Sequence, residues 1–186
     1  MAAPERVETD RLVLRRPTRA DVDAIFTRYA SDPEVTRFLS WPRHTVIDHT
    51  VTFLEFSDLH WQQWPAGPYL VESRSTGAVL GGTGLGFETQ DRASTGYVLA
   101  RDAWGYGYAT EALRAMIPIA AAVGVQYVYA LCHPEHDRSR RVLQKCGFKR
   151  ETLPPRYSEF PNLRPGEPIE VLCYARNLRV APETTG

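Results

Sequence analysis

Apolar residues recur along the chain with two periods, one typical of strands and one typical of helices. Short apolar or alternating runs bounded by turn residues predict seven strands, at residues 11–15, 68–73, 78–87, 94–99, 127–132, from 148 onwards, and 169–175. Helically spaced apolar residues predict four helices, at residues 18–30, 45–60, 110–123 and 137–146. The order βααβββαβαββ predicts an α/β (α+β) fold in which these helices flank one mixed, mostly antiparallel central sheet.

Turn and cap residues define where several of these elements end. Thr18 and Thr45 each precede an aspartate by three residues, a spacing that predicts a capped helix start. Ser75-Thr-Gly77 predicts a hairpin turn, and the proline-rich segment 154–168 predicts a loop. The glycines in the strand at 78–87 weaken it, so they indicate either a bend or the close approach of another surface to its backbone.

Composition narrows the class of protein. The chain has 186 residues, of which 43% are hydrophobic, and no linker, so we expect one domain over residues 1–186 with a core at about 8–176 and short flexible termini. The formal net charge of zero argues against a nucleic-acid or anionic-membrane binder. The chain has no long apolar run and no signal peptide at its start, which favours a cytoplasmic protein. Three cysteines without metal-ligand spacing predict buried free thiols.

One stretch, residues 100–113, carries the strongest chemical signal. It connects an alternating strand to a helix, and Gly105 and Gly107 allow a tight turn there. The first amides of a helix lack intrahelical partners and lie at its positive end, so this turn predicts a phosphate-binding cradle. A simple strand-to-helix turn remains an alternative. No lysine follows the second glycine as in a P-loop, and the dinucleotide fingerprint is incomplete, which leaves a nicotinamide or flavin site as a weaker reading.

Three ordered motifs resemble one enzyme family. Trp104 to Ala112, Trp-Gly-Tyr-Gly-Tyr-Ala-Thr-Glu-Ala, resembles the acetyl-CoA loop of the GNAT N-acetyltransferases, in particular their RimJ/RimL-like (ribosomal-protein-alanine N-acetyltransferase) branch. Pro134 to Phe148 is similar to a helix of that branch, and Glu8 to Arg15 is similar to its first strand. The resemblance implies a GNAT-like fold and acetyl-CoA as the acetyl donor, with no metal.

The resemblance also implies which residues contact acetyl-CoA. Backbone groups near Val98 and Leu99 would run beside the pantetheine arm, and one amide there would polarise the thioester. The loop from Trp104 to Thr110 would hold the pyrophosphate. The full set of expected cofactor-binding residues is Val98, Leu99, Ala100, Trp104, Gly105, Tyr106, Gly107, Tyr108, Ala109, Thr110, His136 and Ser139.

Catalytic residues are harder to transfer because the chain departs from the wider superfamily. Ser94 stands where many members carry a glutamate near the acceptor amine. Leu143 stands where many carry a tyrosine that protonates the thiolate, and His136 replaces the asparagine of the branch. Within the branch, Ser139 matches a serine proposed to protonate the thiolate, and Glu159 matches a proposed base. His133 is a rival base because imidazole titrates near neutrality, and Tyr157 is a rival acid.

These features predict a cytoplasmic N-acetyltransferase. It would move an acetyl group from acetyl-CoA to a primary amine, either a protein N-terminus or a small molecule, by direct attack in a ternary complex. A non-catalytic acyl-CoA-binding regulatory module is the alternative, and the uncertain acid and base would suit it. Helically spaced aromatics such as those at 53–64 are typical of a core, but the resemblance implies that the region between the first two long strands walls the acceptor pocket. Exposed aromatics within residues 38–64 make a homodimer plausible.

Overall fold

A single eight-stranded sheet forms the centre of the protein in a computed structural model, which describes residues 2–178. Its strands are β1 (Arg6–Glu8), β2 (Leu12–Arg15), β3 (Pro68–Ser73), β4 (Val79–Phe87), β5 (Arg92–Leu99), β6 (Tyr127–Cys132), β7 (Lys149–Phe160) and β8 (Arg164–Asn177). The spatial order is β1-β2-β3-β4-β5-β6-β8-β7, and only β5 and β6 are parallel. The mixed, mostly antiparallel sheet is therefore confirmed, with β1 as an additional strand. The predicted flexible ends, Met1 and residues 179–186, lie outside the described residues.

Within residues 2–178, five α-helices cover the sheet: α1 (Val22–Ile25), α2 (Pro33–Thr36), α3 (Ile47–Gln63), α4 (Tyr108–Ala122) and α5 (Asp137–Lys145). Residues 18–30 form the predicted helical segment, in which a 3-10 turn (Arg19–Asp21) leads into α1 and π-helical turns (Phe26–Ala30) follow it. α2 is additional to the four predicted helices. Its start is capped by Asp32, whose carboxylate accepts from the amides of Glu34 and Val35.

The two predicted helix caps have different outcomes. The Asp21 carboxylate accepts from the Thr18 amide at 2.7 Å and from the Thr18 hydroxyl at 2.9 Å, which confirms the first cap. The cap at Thr45 is wrong, because α3 starts after Val46 and no side chain caps it. The His49 ring instead accepts from the Thr45 amide. α3 also continues three residues past His60, to Gln63.

Alternate residues of β3 belong to two different apolar clusters. Tyr69 and Val71 pack in a cluster with Leu113 and Met116 of α4. Leu70 packs in a second cluster with residues of α1 and α3, including Ile25 and Leu54. Because successive side chains of a strand point to opposite faces, α4 covers one face of the sheet, and α1 and α3 cover the other. The three cysteines are buried and free, as predicted.

The glycines of β4 allow close approach of a neighbouring strand. A β-carbon at Gly81 would lie 2.0 Å from the Val98 carbonyl oxygen of β5, a distance that no real side chain tolerates. β4 pairs with β5 without a break from Gly81–Leu99 to Phe87–Ala93. The close-approach interpretation of the glycines is therefore confirmed at this position.

The proline-rich segment 154–168 is strand rather than the predicted loop. β7 and β8 form a long hairpin that turns only at residues 161–163. The pairing of the two strands shifts between Glu151 and Arg156 and again between Ser158 and Phe160, and the prolines fall at or near these irregular places. β7 is an edge strand, where proline removes no necessary ladder bond. The prediction failed because proline density was taken as evidence for a loop.

Candidate active site

The centre of the candidate site is a gap between β5 and β6. These strands pair only from Arg92–Ser94 to Tyr127–Tyr129 and diverge beyond that point. The Ala100 amide donates to the Leu80 carbonyl at 2.7 Å. This bond shows which residues of β5 direct their backbone groups to β4 and which direct them to the opposite side. Tyr97 and Leu99 therefore direct their backbone groups toward the gap, whereas Val98 bonds to β4. Of the two predicted residues on this strand, Leu99 presents its backbone to the gap and Val98 lines the adjoining cavity.

A run of unpaired amides follows the end of β5. Gly105 and Gly107 have φ values of +86° and +82°, in the left-handed region that favours glycine, and α4 begins immediately after Gly107. The first helical hydrogen bond runs from the Glu111 amide to the Gly107 carbonyl at 3.1 Å. The amides of residues 105–110 have no acceptor among the residues that the structure describes. Consecutive free donors at a helix start form a site for a phosphate.

Glu111 ties this loop to the start of the chain. Its carboxylate accepts from the Thr9 hydroxyl at 2.6 Å, the Arg11 amide at 2.8 Å and Arg11 Nε at 2.7 Å. Burial opposes ionisation, but the bonds from Thr9 and Arg11 outweigh it and lower the pKa of Glu111. Arg11 also donates to the Tyr106 carbonyl and covers the Tyr108 ring. Glu111 therefore supports the cradle from behind.

Trp104 and Arg138 close the loop on the other side. The Trp104 indole donates to the Leu99 carbonyl at 2.8 Å, which joins the loop to the end of β5. The guanidinium of Arg138, in the first turn of α5, lies 5.4 Å from the centre of the Trp104 ring. Sequence reasoning singled out Trp104 but missed Arg138, which places a cation over the Trp104 ring.

Two hydroxyl groups meet in the gap. Ser139 Oγ lies 2.9 Å from Tyr97 Oη, and both residues line the cavity. Burial raises the pKa of Tyr97, so its phenol stays protonated near neutrality, although the bond from Ser139 partly offsets this. Cys132 lines the same cavity, and burial raises the pKa of its thiol. Tyr97 was not predicted as a site residue, and the alternation of β5 was the one signal that could have indicated it.

His133 and His136 lie next to each other at the cavity wall, where Phe38 contacts both rings. His133 Nδ1 accepts from the Glu135 amide at 3.1 Å, so the neutral ring carries its proton on Nε2. Burial, aided by Arg37, lowers the pKa of His133. Burial and the charge of neighbouring groups lower the pKa of His136 to about 4. Both rings are therefore neutral at pH 7.

Glu159 and Tyr157 lie on the other face of β7. Both are exposed, and neither lines the cavity. Ser158 and Phe160, which alternate with them, do line it, and the Phe160 ring contacts His133 edge-on at 4.7 Å. The structure thus brings Ser139 and His133 together at one cavity and places Glu159 and Tyr157 outside it.

Asn162, at the tip of the β7–β8 hairpin, holds the loop that follows α2. Its side-chain amide donates to the carbonyls of Thr36 at 2.8 Å and Trp41 at 2.9 Å. Its side-chain oxygen accepts from the Arg43 amide at 2.7 Å. This half-buried side chain therefore fixes the course of residues 36–43, which form one wall of the cavity.

The gap opens into a cavity of about 910 Å³. On one side it reaches Ser139 and Leu143, and on the other it reaches α3 and the loop held by Asn162. The second side presents mainly aromatic rings, those of Tyr29, Phe38, Trp41, Phe53 and Phe56. Residues 2–178 contain no group of three or more His, Cys, Asp or Glu side chains able to hold a metal ion. The helices within this range are all too short or too polar to cross a membrane.

Comparison with known proteins identifies the family. A family model described as "Acetyltransferase (GNAT) domain" matches residues 11–149, most of the chain. The chain belongs to the GNAT family of acetyltransferases. This finding confirms the predicted family, and the sheet described above is the GNAT fold.

Relatives of this GNAT protein agree with the assignment. The uncharacterised N-acetyltransferase YoaA of Bacillus subtilis (strain 168) is 29% identical over 148 residues, which are 78% of this chain and 83% of YoaA. The solved structure of RimL, a ribosomal L7/L12 alpha-N-protein acetyltransferase in complex with coenzyme A, matches with a TM-score of 0.79 at 20% identity, covering 94% of this chain and 98% of RimL.

A second solved structure shares the fold equally well. The microcin C7 self immunity acetyltransferase MccE, in complex with acetyl-CoA and AMP, matches with a TM-score of 0.79 at 17% identity. The match covers 91% of this chain and 93% of MccE. At these identities the likeness to RimL and MccE shows a common fold.

Proposed function

We propose that this GNAT protein transfers an acetyl group from acetyl-CoA to a primary amine by direct attack of the amine. The observation that carries the proposal is the run of unpaired amides at residues 105–110, which follows β5, a strand that does not pair with β6 beyond Ser94. If the pyrophosphate of acetyl-CoA binds at these amides, the pantetheine arm attached to it would run along β5. The solved complexes of RimL with coenzyme A and of MccE with acetyl-CoA support the same donor.

The cofactor contacts follow from this placement. Gly105 to Thr110 supply the amides for the pyrophosphate, Trp104 shapes the loop, and Val98 to Ala100 accompany the pantetheine arm. An amide of β5 that faces the gap donates to the thioester oxygen as it gains charge. His136 and Ser139, at the start of α5, complete the binding surface. The positive end of α4 favours the negative diphosphate.

Proton transfer uses the two hydroxyls of the gap. Ser139 donates a proton to the departing thiolate, and Tyr97 replaces that proton or orients the serine. For the base, the resemblance to the RimJ/RimL-like branch favours Glu159, with His133 as its rival and Tyr157 as a rival acid. His133 has the better position, although its Nδ1 lone pair is already engaged by the Glu135 amide.

Other features of the proposal come from the resemblance and the composition. We propose a RimJ/RimL-like enzyme of the cytoplasm whose acceptor is a protein N-terminus or a small amine, without a nucleic-acid or membrane partner. A homodimer is compatible with the exposed apolar residues at and before the start of α3 and along it, Val46, Ile47, Phe56 and Leu59.

Gly107→Val tests the cradle. A β-branched side chain cannot adopt φ of +82° without strain, so the loop must move and the amides lose their common direction. We expect the dissociation constant for acetyl-CoA, measured by titration calorimetry, to rise by at least about tenfold. Gly124→Val is the matched control, because Gly124 also has a left-handed φ, +92°, but lies at the other end of α4.

Each variant should lose roughly 1–2 kcal/mol of unfolding free energy through backbone strain. Only Gly107→Val should lose affinity. Unchanged acetyl-CoA affinity in Gly107→Val would refute the cradle. Tight acetyl-CoA binding by the unmodified protein without thiol release to any amine would instead identify a non-catalytic acyl-CoA-binding module.

A further inference from the structure

The part of the cavity opposite Ser139 carries no charged side chain. Aromatic rings from three segments form most of its wall, those of Tyr29, Phe38, Trp41, Phe53 and Phe56. Among the residues of the range 2–178 that line the cavity there is no aspartate, glutamate, lysine or arginine. A cavity that recognised a polyamine or an amino sugar would need carboxylates to pair with each ammonium group.

The titratable side chains that do line the cavity are histidines, tyrosines and one cysteine. Burial lowers the pKa of His44, His133 and His136, which keeps these rings neutral at pH 7. Burial raises the pKa of Cys132 and of the tyrosines Tyr29, Tyr69, Tyr97 and Tyr129, which keeps them protonated. His49 lies exposed on α3, where its ring accepts from the Thr45 amide.

Charged groups near the wall are engaged outside it. Arg37 lies over the Phe38 ring and is exposed. Glu88 accepts from the Tyr129 hydroxyl and pairs with Arg92. None of these side chains lines the cavity.

An acceptor in this cavity loses water without gaining an ionic partner. Burial without an opposite charge disfavours the protonated form of an amine, and a second charge on the same molecule would meet the same penalty. Contact of an ammonium with the aromatic rings offsets only part of that cost. The cavity is wide enough for an apolar body of the size of a phenylethyl or pentyl group.

We infer that the acceptor is a primary monoamine on an apolar body with no second charged group, and that it is bound in its neutral form. This inference rests on the proposed function and narrows its substrate class. The neutral nitrogen forms a bond to the acetyl carbon as the carbon–sulfur bond breaks. The nitrogen loses one proton and the thiolate gains one through the Ser139 hydroxyl, so no net proton is required from solvent.

Matched amines test the inference by binding alone. The protein is saturated with coenzyme A and titrated at pH 7 with phenethylamine against phenylalanine, and with pentylamine against 1,5-diaminopentane. We expect each monoamine to bind at least about tenfold more tightly than its charged counterpart. Simple alkyl amines resemble the lysine side chain, whose pKa is about 10.4, so binding in the neutral form should release about one proton per amine. Titration in two buffers of different ionisation enthalpy measures this release.

A substitution at the cavity mouth provides a second test. Thr52 is exposed and lines the cavity, so Thr52→Glu adds a carboxylate there with little cost in folding. We expect the preference for pentylamine over 1,5-diaminopentane to fall by at least about threefold. Gln62→Glu is the matched control, since Gln62 is exposed on the same helix and does not line the cavity. Its preference should stay unchanged.

Equal or tighter binding of the charged counterparts, binding without proton release, or failure of both monoamines to bind at millimolar concentration would overturn the inference. Thiol release from acetyl-CoA is followed separately. If the monoamines bind as expected but no thiol appears, the proposed transfer fails while the selectivity of the cavity stands. If thiol appears mainly with charged acceptors, the transfer stands and this inference falls.

Discussion

Tyr97 and Ser139 form the contact with the most direct bearing on chemistry. Their hydroxyl oxygens lie 2.9 Å apart at the gap, and the family resemblance implies that Leu143 stands where a tyrosine would otherwise protonate the thiolate. Tyr97 of β5 therefore supplies a phenol near Ser139, whereas Leu143 lies on α5. The sequence showed only that Tyr97 alternates with its neighbours in a strand, because the face that each residue occupies depends on the pairing of β5 with β4.

Tyr97→Phe should slow acetyl transfer by roughly tenfold, because Ser139 loses the group that returns or orients its proton. The KM for acetyl-CoA should change little, since the phenol is separate from the cradle. An aryl thioester donor, whose thiolate leaves without protonation, should reduce the defect in kcat. Tyr127→Phe is the control, as the Tyr127 hydroxyl bonds to Glu151. A defect of equal size with both donors would contradict an acid role.

At the scale of elements, the contact between two distant motifs explains why they occur together. Thr9 and Arg11 follow β1, and Glu111 lies in the first turn of α4. The three bonds that join them orient the loop whose amides are free. Sequence reasoning found both motifs but not the contact between them, in which Glu111 supports the loop from behind.

Glu111→Gln should weaken acetyl-CoA binding several-fold and lower the unfolding free energy by about 1–2 kcal/mol, because the partly buried donors lose their charged acceptor. Glu8→Gln is the control, since its ion pair with Arg6 is exposed and should contribute little. Calorimetric titration and urea denaturation measure the two effects. A variant with normal affinity would show that the loop keeps its shape without this support.

The β7–β8 hairpin is the second element with a supporting role. Its tip carries Asn162, which bonds only to backbone groups of residues 36–43. The family resemblance suggested Glu159 in this hairpin as a catalytic base. In the structure, Asn162 holds the neighbouring loop, and Glu159 lies on the outer face of β7.

Asn162→Ala should cost about 1–2 kcal/mol of unfolding free energy, because the half-buried Trp41 carbonyl loses its donor, the Thr36 carbonyl keeps only the Leu39 amide, and the exposed Arg43 amide turns to solvent. The acceptor KM should rise as the wall loosens, while the acetyl-CoA dissociation constant stays unchanged. Lys149→Ala, an exposed change in the same hairpin, should alter neither quantity. Parallel changes in both substrates would indicate that the damage extends beyond the loop.

For the whole molecule, local patterns predicted most of the fold. Periodicity located all seven expected strands, because alternation and apolar runs reflect burial on a sheet. It missed β1, which has only three residues, and it misread the prolines of the β7–β8 hairpin, whose edge position depends on strand order. The run of unpaired amides at residues 105–110 was predictable because its glycines and the helix start are contiguous. Arg138, Tyr97 and Asn162 were not, since their roles arise from contacts between distant segments.

Whole-molecule stability should decrease in acid. The pKa of His136 is lowered to about 4 in the folded protein, whereas the unfolded chain binds this proton near pH 6.5. The free energy of unfolding therefore falls as the pH is lowered from about 6.5 toward 4. The lowered pKa values of Asp21, Asp32 and Glu111 act in the same direction at lower pH. We expect the Tm of His136→Phe to fall less between pH 7 and pH 4.5. An equal fall would assign the loss to other groups.

Asn162 holds this wall of the cavity through backbone atoms of Thr36, Trp41 and Arg43. The side chains of residues 37–42 therefore take no part in the hydrogen bonds to Asn162. Evolution, or a library randomised at Phe38, Leu39 and Trp41, can therefore exchange the surface that meets the acceptor while the loop keeps its path. Phe38 also contacts the rings of His133 and His136, so exchanges at Leu39 and Trp41 disturb the donor side less than exchanges at Phe38. The loop of residues 105–110, supported separately by Glu111, can thus stay constant while the wall that faces the acceptor changes.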